Sequence, residues 1–357
     1  RCFPLKKLFY FLFHRSVLVA ISLLIQLALF AVMVFTFSEH IQNFYWVCIL
    51  MSIAAALAIV GSRMEPAYKI AWLLIILPFP VFGGIFYLFI GGGRVSNRRQ
   101  RRMQGILGQS FKALEPDFKA DDLLPLGGEA ATQATYLEQR ASCPAYTNTV
   151  AEYFSLGDLA FPRMLAELEK AQRYIFLEYF IIQPGVFWDS ILAVLERKAA
   201  QGVEVRLLYD DMGCMFTLPR HYDQQMMARG IQCRVFNRFR PIMTPRLNNR
   251  DHRKLMIIDG KVGFTGGINL ADEYINQKER FGHWKDTAIL LRGEAVQSFT
   301  LMFLQMWNLT EKEPRWDEAL LPSPPVEAEG YVMPYCDCPL DDYKVGESVY
   351  MDILNRA

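Results

Sequence analysis

Net charge is almost absent from this 357-residue sequence: 38 Lys and Arg stand against 37 Asp and Glu, a balance of +1. Bulk charge therefore argues against a broad nucleic-acid footprint or an acidic tail, and any electrostatic function is local. Histidine is scarce, with five residues, and the seven cysteines (Cys2, Cys48, Cys143, Cys214, Cys233, Cys336, Cys338) are odd in number and form no CxxC pair. That spacing fits neither a zinc ribbon nor a disulfide framework, so reduced thiols on a cytosolic face and no metal are expected. The sequence also lacks the polar bias of a disordered chain, since 52% of it is hydrophobic and only 21% charged. Such a chain buries a core, and at about 100–200 residues per domain it holds one large or two ordinary domains. The first residue is Arg1 rather than Met, which suggests a piece of a longer protein.

Charge is missing altogether from two stretches, 16–37 and 41–61, of 22 and 21 residues. Each is long enough to cross about 30 Å of hydrocarbon, and the first exceeds the apolar core of a signal peptide. Two transmembrane helices are therefore expected, joined by Ser38, Glu39 and His40. A third apolar run, 70–93, is interrupted by Pro78, Pro80, Gly83 and Gly84, and an arginine cluster (Arg94, Arg98, Arg99, Arg101, Arg102) follows it. Other cations precede the first run (Arg1, Lys6, Lys7, Arg15) and follow the second (Arg63, Lys69). Three crossings would put the last cluster on the opposite side from the others, against the positive-inside rule; a re-entrant or interfacial hairpin keeps all of them cytoplasmic.

After the membrane region 1–102, a linker is expected over 103–146, where Gly, Pro and acids accumulate towards its end. Beyond it helical spacing and apolar strands alternate: helix 161–173, strand 174–182, helix 186–201, strand 203–209, helix 218–229, strand 231–236 and a closing helix 294–309. Strands that need both faces covered argue for an α/β sandwich over 147–313. A proline-rich connector, 314–345, follows. The last eight residues align weakly with 164–171, as though a second copy of the unit began near 346–357.

The chemistry concentrates in one stretch. Asp259-Gly260 between two apolar runs signals a hairpin, with 252–258 on one strand and 261–265 on its partner. Alternation then puts His252 and Lys254 on one face. An imidazole and an ammonium at that spacing suit a phosphate, the lysine neutralising its oxygens while the histidine attacks phosphorus or moves a proton. Gly266 and Gly267 permit close backbone approach to an anion, and Asn269 offers a donor. Taken singly these residues have ordinary uses: a surface histidine, an edge lysine, and an aspartate that serves a tight turn.

Together they form H-x-K-x4-D-x6-G-G-x-N, the pattern of the phospholipase D superfamily. The N-terminal apolar helices, 71–74 through 79–83, 177–180, 208–211 and 282–287 narrow the resemblance to bacterial cardiolipin synthases of the phospholipase D type. The family has two such motifs; here the sole later histidine, His283, is followed by Lys285 at +2 but by Leu290 at +7, so the second is missing.

The resemblance implies a phospholipase D-like α/β sandwich half with no cofactor or metal. It also implies ping-pong transfer of a phosphatidyl group between two phosphatidylglycerols through a phosphohistidine. His252 would be nucleophile or acid/base, Lys254 and Asn269 would bind phosphate beside Gly266 and Gly267, and Asp259 would be mainly structural. Asp286 lies where the family often places a carboxylate against the catalytic histidine, or is a strand-edge acid; Glu178, in an apolar strand, is an active-site wall or an ion-pair partner. The arginines Arg234, Arg238, Arg240, Arg246, Arg250 and Arg253 would meet anionic headgroups or lie in a solvated loop.

The implied setting is the bacterial plasma membrane, multi-pass, with a cytoplasmic catalytic domain. The implied partners are phosphatidylglycerol and anionic lipid rather than nucleic acid, and the missing catalytic half or a second copy of the chain. Other readings of the motif are a hydrolytic phospholipase D, a phosphatidylserine synthase-like transferase, a nuclease completed by dimerisation and a non-catalytic lipid-binding protein. Cysteines replacing Ser62 and Ser96 are expected to label from the cytoplasmic side only; labelling from opposite sides would remove the re-entrant arrangement.

Overall fold

An aspartate in a left-handed turn organises one end of the sheet. Asp259 and Gly260 both have positive φ (54° and 67°), the conformation of a type I′ turn, and the Lys261 N–H closes it on the Ile258 carbonyl at 3.0 Å. In the computed structural model this turn joins β5 (Leu255–Ile258) to β6 (Val262–Gly266), as the Asp-Gly pair predicts. The structure describes residues 15–36, 41–62, 66–79, 87, 97–113, 128–141, 143–238, 249–311, 313–314, 316, 324–338, 340 and 345–356.

The chain divides into two units. In the N-terminal one, α1 (Arg15–Thr36), α2 (Ile41–Val60) and α3 (Pro66–Ile76) are helical. Helices α2 and α3 are tied together by Ser52 Oγ donating to the Ile76 carbonyl (3.1 Å) and by Lys69 Nζ donating to the Val60 carbonyl (2.8 Å). Among the described residues no helix is long and apolar enough to cross a membrane. The described side chains of α1 cover only 21–32 and those of α2 only 46–60, about 18 and 22 Å at 1.5 Å per residue. Of the expected re-entrant run, 80–86 and 88–93 lie outside the described residues.

The second unit holds α4 (Asn97–Ala113), α5 (Gly128–Ala141), β1 (Thr149–Phe154), α6 (Gly157–Leu168), β2 (Tyr174–Tyr179), α7 (Val186–Ala200) and β3 (Glu204–Asp210). There follow α8 (Tyr222–Ala228), β4 (Gln232–Phe236), the β5–β6 hairpin, β7 (Ala288–Gly293), α9 (Val296–Asn308) and α10 (Val345–Arg356). Its seven strands run in the order β1-β7-β6-β5-β2-β3-β4; β2, β3 and β4 are mutually parallel and the remaining pairs antiparallel. The expected α/β alternation is present, with strands and helices shifted at their ends by a few residues.

All six residues of β2 are buried, because both faces of the strand are covered. Ile175, Leu177 and Tyr179 join one core with Met164 and Leu168 of α6 and Trp188, Ile191 and Leu195 of α7. On the opposite face Phe176 stacks on Phe303 of α9 at 4.7 Å. The N-terminus of α7 is capped by Asp272, which accepts the N–H groups of Val186 (3.1 Å) and Phe187 (2.9 Å).

One stretch differs from the expectation, and two further features add to it. The stretch expected as a linker contains α4 and α5. Met103 and Ile106 of α4 are buried, and α4 is tied to α9 by Arg102 Nη2 on the Asn308 carbonyl (3.2 Å) and Gln305 on Ser110 (2.9 Å). The end of the chain, expected as the start of another unit, is helix α10, whose Val345 and Val349 pack on Leu137 of α5. Strand β1, which has no counterpart among the expected strands, lies at the edge of the sheet with Val150 and Tyr153 exposed.

Asp259 Oδ1 accepts the N–H groups of Arg173 (2.7 Å) and Tyr174 (2.9 Å), and Oδ2 that of Gln172 (2.9 Å). It thereby fixes the entry to β2. Asp259→Ala is expected to lower the unfolding free energy by about 3 kcal/mol, the scale of lost hydrogen bonds to a charged group. Asp259→Asn, which tolerates positive φ and keeps one acceptor, should lose less. Urea midpoints in detergent measure both, and an effect within the surface range of about 0.5 kcal/mol would refute the role.

Candidate active site

The strand directions bring one set of chain ends to a single edge of the sheet. β2 and β3 finish there, at Tyr179 and Asp210; β5 and β7 start there, at Leu255 and Ala288; and β6 ends there, at Gly266. His252 and Lys254, just before β5, Gly266 to Asn269, just after β6, and Asp286, just before β7, therefore converge. Asp259 does not: it lies at the opposite end of β5, against Tyr174. Of the motif residues His252, Lys254 and Asp259, it alone is remote, and its carboxylate holds the backbone that enters β2.

Regular pairing in the first motif strand begins at Leu255, later than expected, yet the predicted alternation holds through 252–254. The rings of His252 and Phe180 are 4.7 Å apart, and Lys254 Nζ lies over the same Phe180 ring at 5.5 Å. Arg253, between them, points to the other side, where Nη1 donates to the Met302 carbonyl of α9 at 3.3 Å. His252 is exposed whereas Lys254 is buried, its Nζ donating to the His252 carbonyl at 2.6 Å.

Their acidities follow from these surroundings. Partial desolvation, followed by the nearby Lys254 charge, lowers the His252 pKa, and Asp251 opposes the shift. Burial pulls Lys254 down to about 8, against the charges of Asp251 and Asp286. At neutral pH the site thus favours a neutral imidazole next to a largely protonated lysine.

The other sequence candidates occupy more constrained positions. Asn269 is buried; its Oδ1 accepts the Ile181 N–H (3.0 Å) and its Nδ2 donates to the Tyr274 hydroxyl (2.8 Å). Its amide braces the segments around the site. Gly266 and Gly267 are closely approached by the protein itself: added Cβ atoms would meet the Thr287 carbonyl oxygen at 2.2 Å and Asp286 Oδ1 at 1.9 Å. Asp286 is thereby packed on Gly267, accepts the Thr287 N–H (2.8 Å) and supports the Lys254 charge; among the described residues no hydrogen bond joins it to His252.

Glu178 resolves as an ion-pair partner. It is fully buried on the α9 side of β2, and Arg253 Nε lies 2.8 Å from its Oε1 and 3.4 Å from Asp251 Oδ1. Burial raises the Glu178 pKa well above the usual carboxylate range, against the pull of Arg253. Asp210, also fully buried, accepts the N–H groups of Met212 (2.8 Å), Gly213 (3.1 Å) and Asp251 (3.1 Å), and pairs with Arg250 at 3.2 Å. Sequence reasoning gave Phe180 no role of its own, and it marked Glu178 as an active-site wall or an ion-pair partner without identifying Arg253 or joining it to Asp210 and Asp251.

The expected headgroup-binding arginines are corrected accordingly. Arg250 and Arg253 serve the buried network, Arg238 pairs with Asp223, and Arg234 binds Glu311 and the Trp307 carbonyl. Arg240 and Arg246 lie outside the described residues. No group of three or more His, Cys, Asp or Glu able to hold a metal ion occurs among the described residues.

Comparison with known proteins matches residues 164–307 to the model of the cardiolipin synthase, PLD-like domain, and residues 49–92 to the phospholipase D-nuclease N-terminal model. An uncharacterized protein of Streptococcus mutans is 45% identical over 311 residues, covering 85% of this chain and 67% of that one. A cardiolipin synthase of Geobacillus kaustophilus is 34% identical over 320 residues, covering 87% and 63%. The chain thus spans 63–67% of the length of these curated relatives. A solved phosphatidylserine synthase of Haemophilus influenzae is 15% identical with a TM-score of 0.37, covering 53% of this chain and 46% of that one. With the HxK pair and its glycine-flanked partner strand assembled at one sheet edge, the chain belongs to the phospholipase D superfamily, in the family of the cardiolipin synthase PLD-like domain.

Proposed function

We propose that this chain carries one catalytic half of a membrane cardiolipin synthase. Family membership supports a phosphatidyltransferase acting on phospholipids. The observation that carries the finer reading is the exposed imidazole of His252, set by Phe180 beside the buried ammonium of Lys254. A neutral imidazole is a nucleophile towards phosphorus, and a cation alongside stabilises the charge that develops on the phosphoryl oxygens.

In this reading one histidine, His252 or its counterpart, attacks the phosphodiester of phosphatidylglycerol. The phosphorus–oxygen bond to glycerol breaks, and the opposite histidine gives the departing alkoxide its proton. The same acid/base then takes a proton from the primary hydroxyl of a second phosphatidylglycerol, whose oxygen displaces the enzyme to give cardiolipin. The counterpart belongs to a second motif beyond a connector at 314–345, or to a second copy of the chain. The apolar stretches 16–37 and 41–61 span the bacterial plasma membrane, 70–93 re-enters it, and the catalytic half at 147–313 lies in the cytoplasm. Hydrolysis of the phosphohistidine by water is the alternative outcome of the same first step.

Incubating the full-length protein with labelled phosphatidylglycerol in mixed micelles is expected to give cardiolipin and glycerol in equal amounts, with His252→Ala lowering the rate at least 10²-fold. Phosphatidic acid as the sole lipid product would move the assignment to hydrolysis. The pH profile supplies a separate check. The depressed His252 pKa keeps the imidazole neutral to lower pH than usual. The Lys254 charge is present below about pH 8 and lost above it, so kcat/KM should fall as pH rises through about 8. Asp286→Asn removes a charge that supports the ammonium, and should move this limb to lower pH; an unmoved limb would exclude Lys254 as its source.

A further inference from the structure

Among the described residues the two most exposed large hydrophobic side chains are Phe216, at 93%, and Phe281, at 81%. Isolated exposed phenylalanines are common, but both of these stand on loops that leave the sheet at the edge where His252 lies. Phe216 is in the turn after β3, and Phe281 is in the segment that leads into β7.

Both loops have pinned bases. In the first, the Ile182 N–H donates to Cys214 Sγ (3.2 Å) and Thr217 Oγ1 donates to the Ile182 carbonyl (2.6 Å). A Cβ on Gly213 would meet the carbonyl oxygen of Phe180, the ring neighbour of His252, at 2.0 Å. In the second, the Trp284 N–H donates to Asn276 Oδ1 (2.7 Å) and the Asn276 amide returns to the Trp284 carbonyl (3.1 Å). The Trp284 ring packs on Tyr274 at 5.1 Å, and Tyr274 is held by Asn269. Phenylalanine is therefore presented to solvent from loops whose bases are built into the site.

The segment 277–285 also carries Lys278, Arg280 and Lys285 against one acid, Glu279, and all four are exposed. Arg280 is paired with Glu273 at 2.9 Å and lies over the Phe281 ring at 5.3 Å. With Glu273 counted beside Glu279, the Phe281 tip keeps one cation in excess, and an aromatic tip flanked by lysines matches an interface whose outer layer is anionic and whose next layer is apolar.

We infer that 211–217 and 277–285 form a two-point seat for the catalytic edge on an anionic bilayer, with Phe216 and Phe281 entering the boundary between headgroups and acyl chains. This rests on the phospholipid reading above and adds the surface by which the site meets its substrate. Phosphodiesters lie in the headgroup layer, so an edge seated there brings His252 to the reacting group without lifting the lipid from the bilayer.

The test replaces Phe216, and separately Phe281, by the photo-crosslinkable benzoylphenylalanine in the full-length protein, reconstituted in vesicles of phosphatidylglycerol and phosphatidylcholine. Lipid adducts at both positions are expected on irradiation. Adducts to protein, from another half or copy covering the edge, or no adducts at either position, would overturn the seat. In parallel, the double variant Phe216→Ser, Phe281→Ser should lose about tenfold or more in rate on vesicles while turning over monomeric short-chain phosphatidylglycerol like the unsubstituted protein. An equal loss on both substrates would mean that the loops support the site rather than seat it. The crosslinking does not depend on turnover. An unsubstituted protein that makes no product from phosphatidylglycerol would therefore remove the synthase reading while leaving the seat to be decided by the adducts.

Discussion

The arrangement of the site depends on a set of buried charges beneath it. Glu178, Asp210 and Asp251 are almost wholly removed from solvent, and the Arg250 and Arg253 side chains that meet them are nearly so. Three acids face two guanidinium groups, which fits the upward displacement of the Glu178 and Asp210 pKa values by burial. Removing one partner from such a pair typically costs about 3–5 kcal/mol, because the other charge is left unpaired in a low-dielectric interior. The consequence reaches the chemistry through the backbone. Arg250, Asp251 and Arg253 are chain neighbours of His252, so anchoring their side chains to β2, β3 and α9 fixes the segment on which the imidazole and Lys254 stand.

The motif therefore has two sides. Its even positions, His252 and Lys254, meet Phe180, whereas Arg253 turns to α9 and binds the fold. Asp259 has a comparable anchoring duty at the far end of β5, where three backbone N–H groups converge on its carboxylate. Gly266 and Gly267 admit Thr287 and Asp286, and through Asp286 they bear on the electrostatics of Lys254. Much of the spacing in the motif is thus explained by folding: a turn, a glycine-lined contact between strands, and an asparagine brace.

Two interactions set the reactivity of the pair. Desolvation disfavours the charged forms of His252 and Lys254, and the mutual repulsion of their cations adds to the effect on the histidine. Asp251 and Asp286 work the other way and keep the lysine charged near neutrality. The site therefore pairs a neutral imidazole with a cation, using groups from the segments that lead into β5 and β7.

What the sequence by itself determined was whatever depends on neighbours along the chain. The Asp259-Gly260 turn, the two strands around it, the alternation that unites His252 with Lys254, and the helix–strand order from 161 to 309 all arise from local conformational preference and hydrophobic period. Only the tertiary structure decided what lies across from each residue. Glu178 stayed ambiguous in sequence because its partner is 75 positions away; Phe180 was unremarkable until the fold set its ring against His252. Of the arginines read as lipid contacts, Arg234, Arg238, Arg250 and Arg253 pair with carboxylates from other elements, and α4 and α5 became part of the structure through packing on α9 and α10. Burial and ion pairing are set by residues far apart in the chain, so a one-dimensional pattern marks which groups need partners but leaves their identity to the fold.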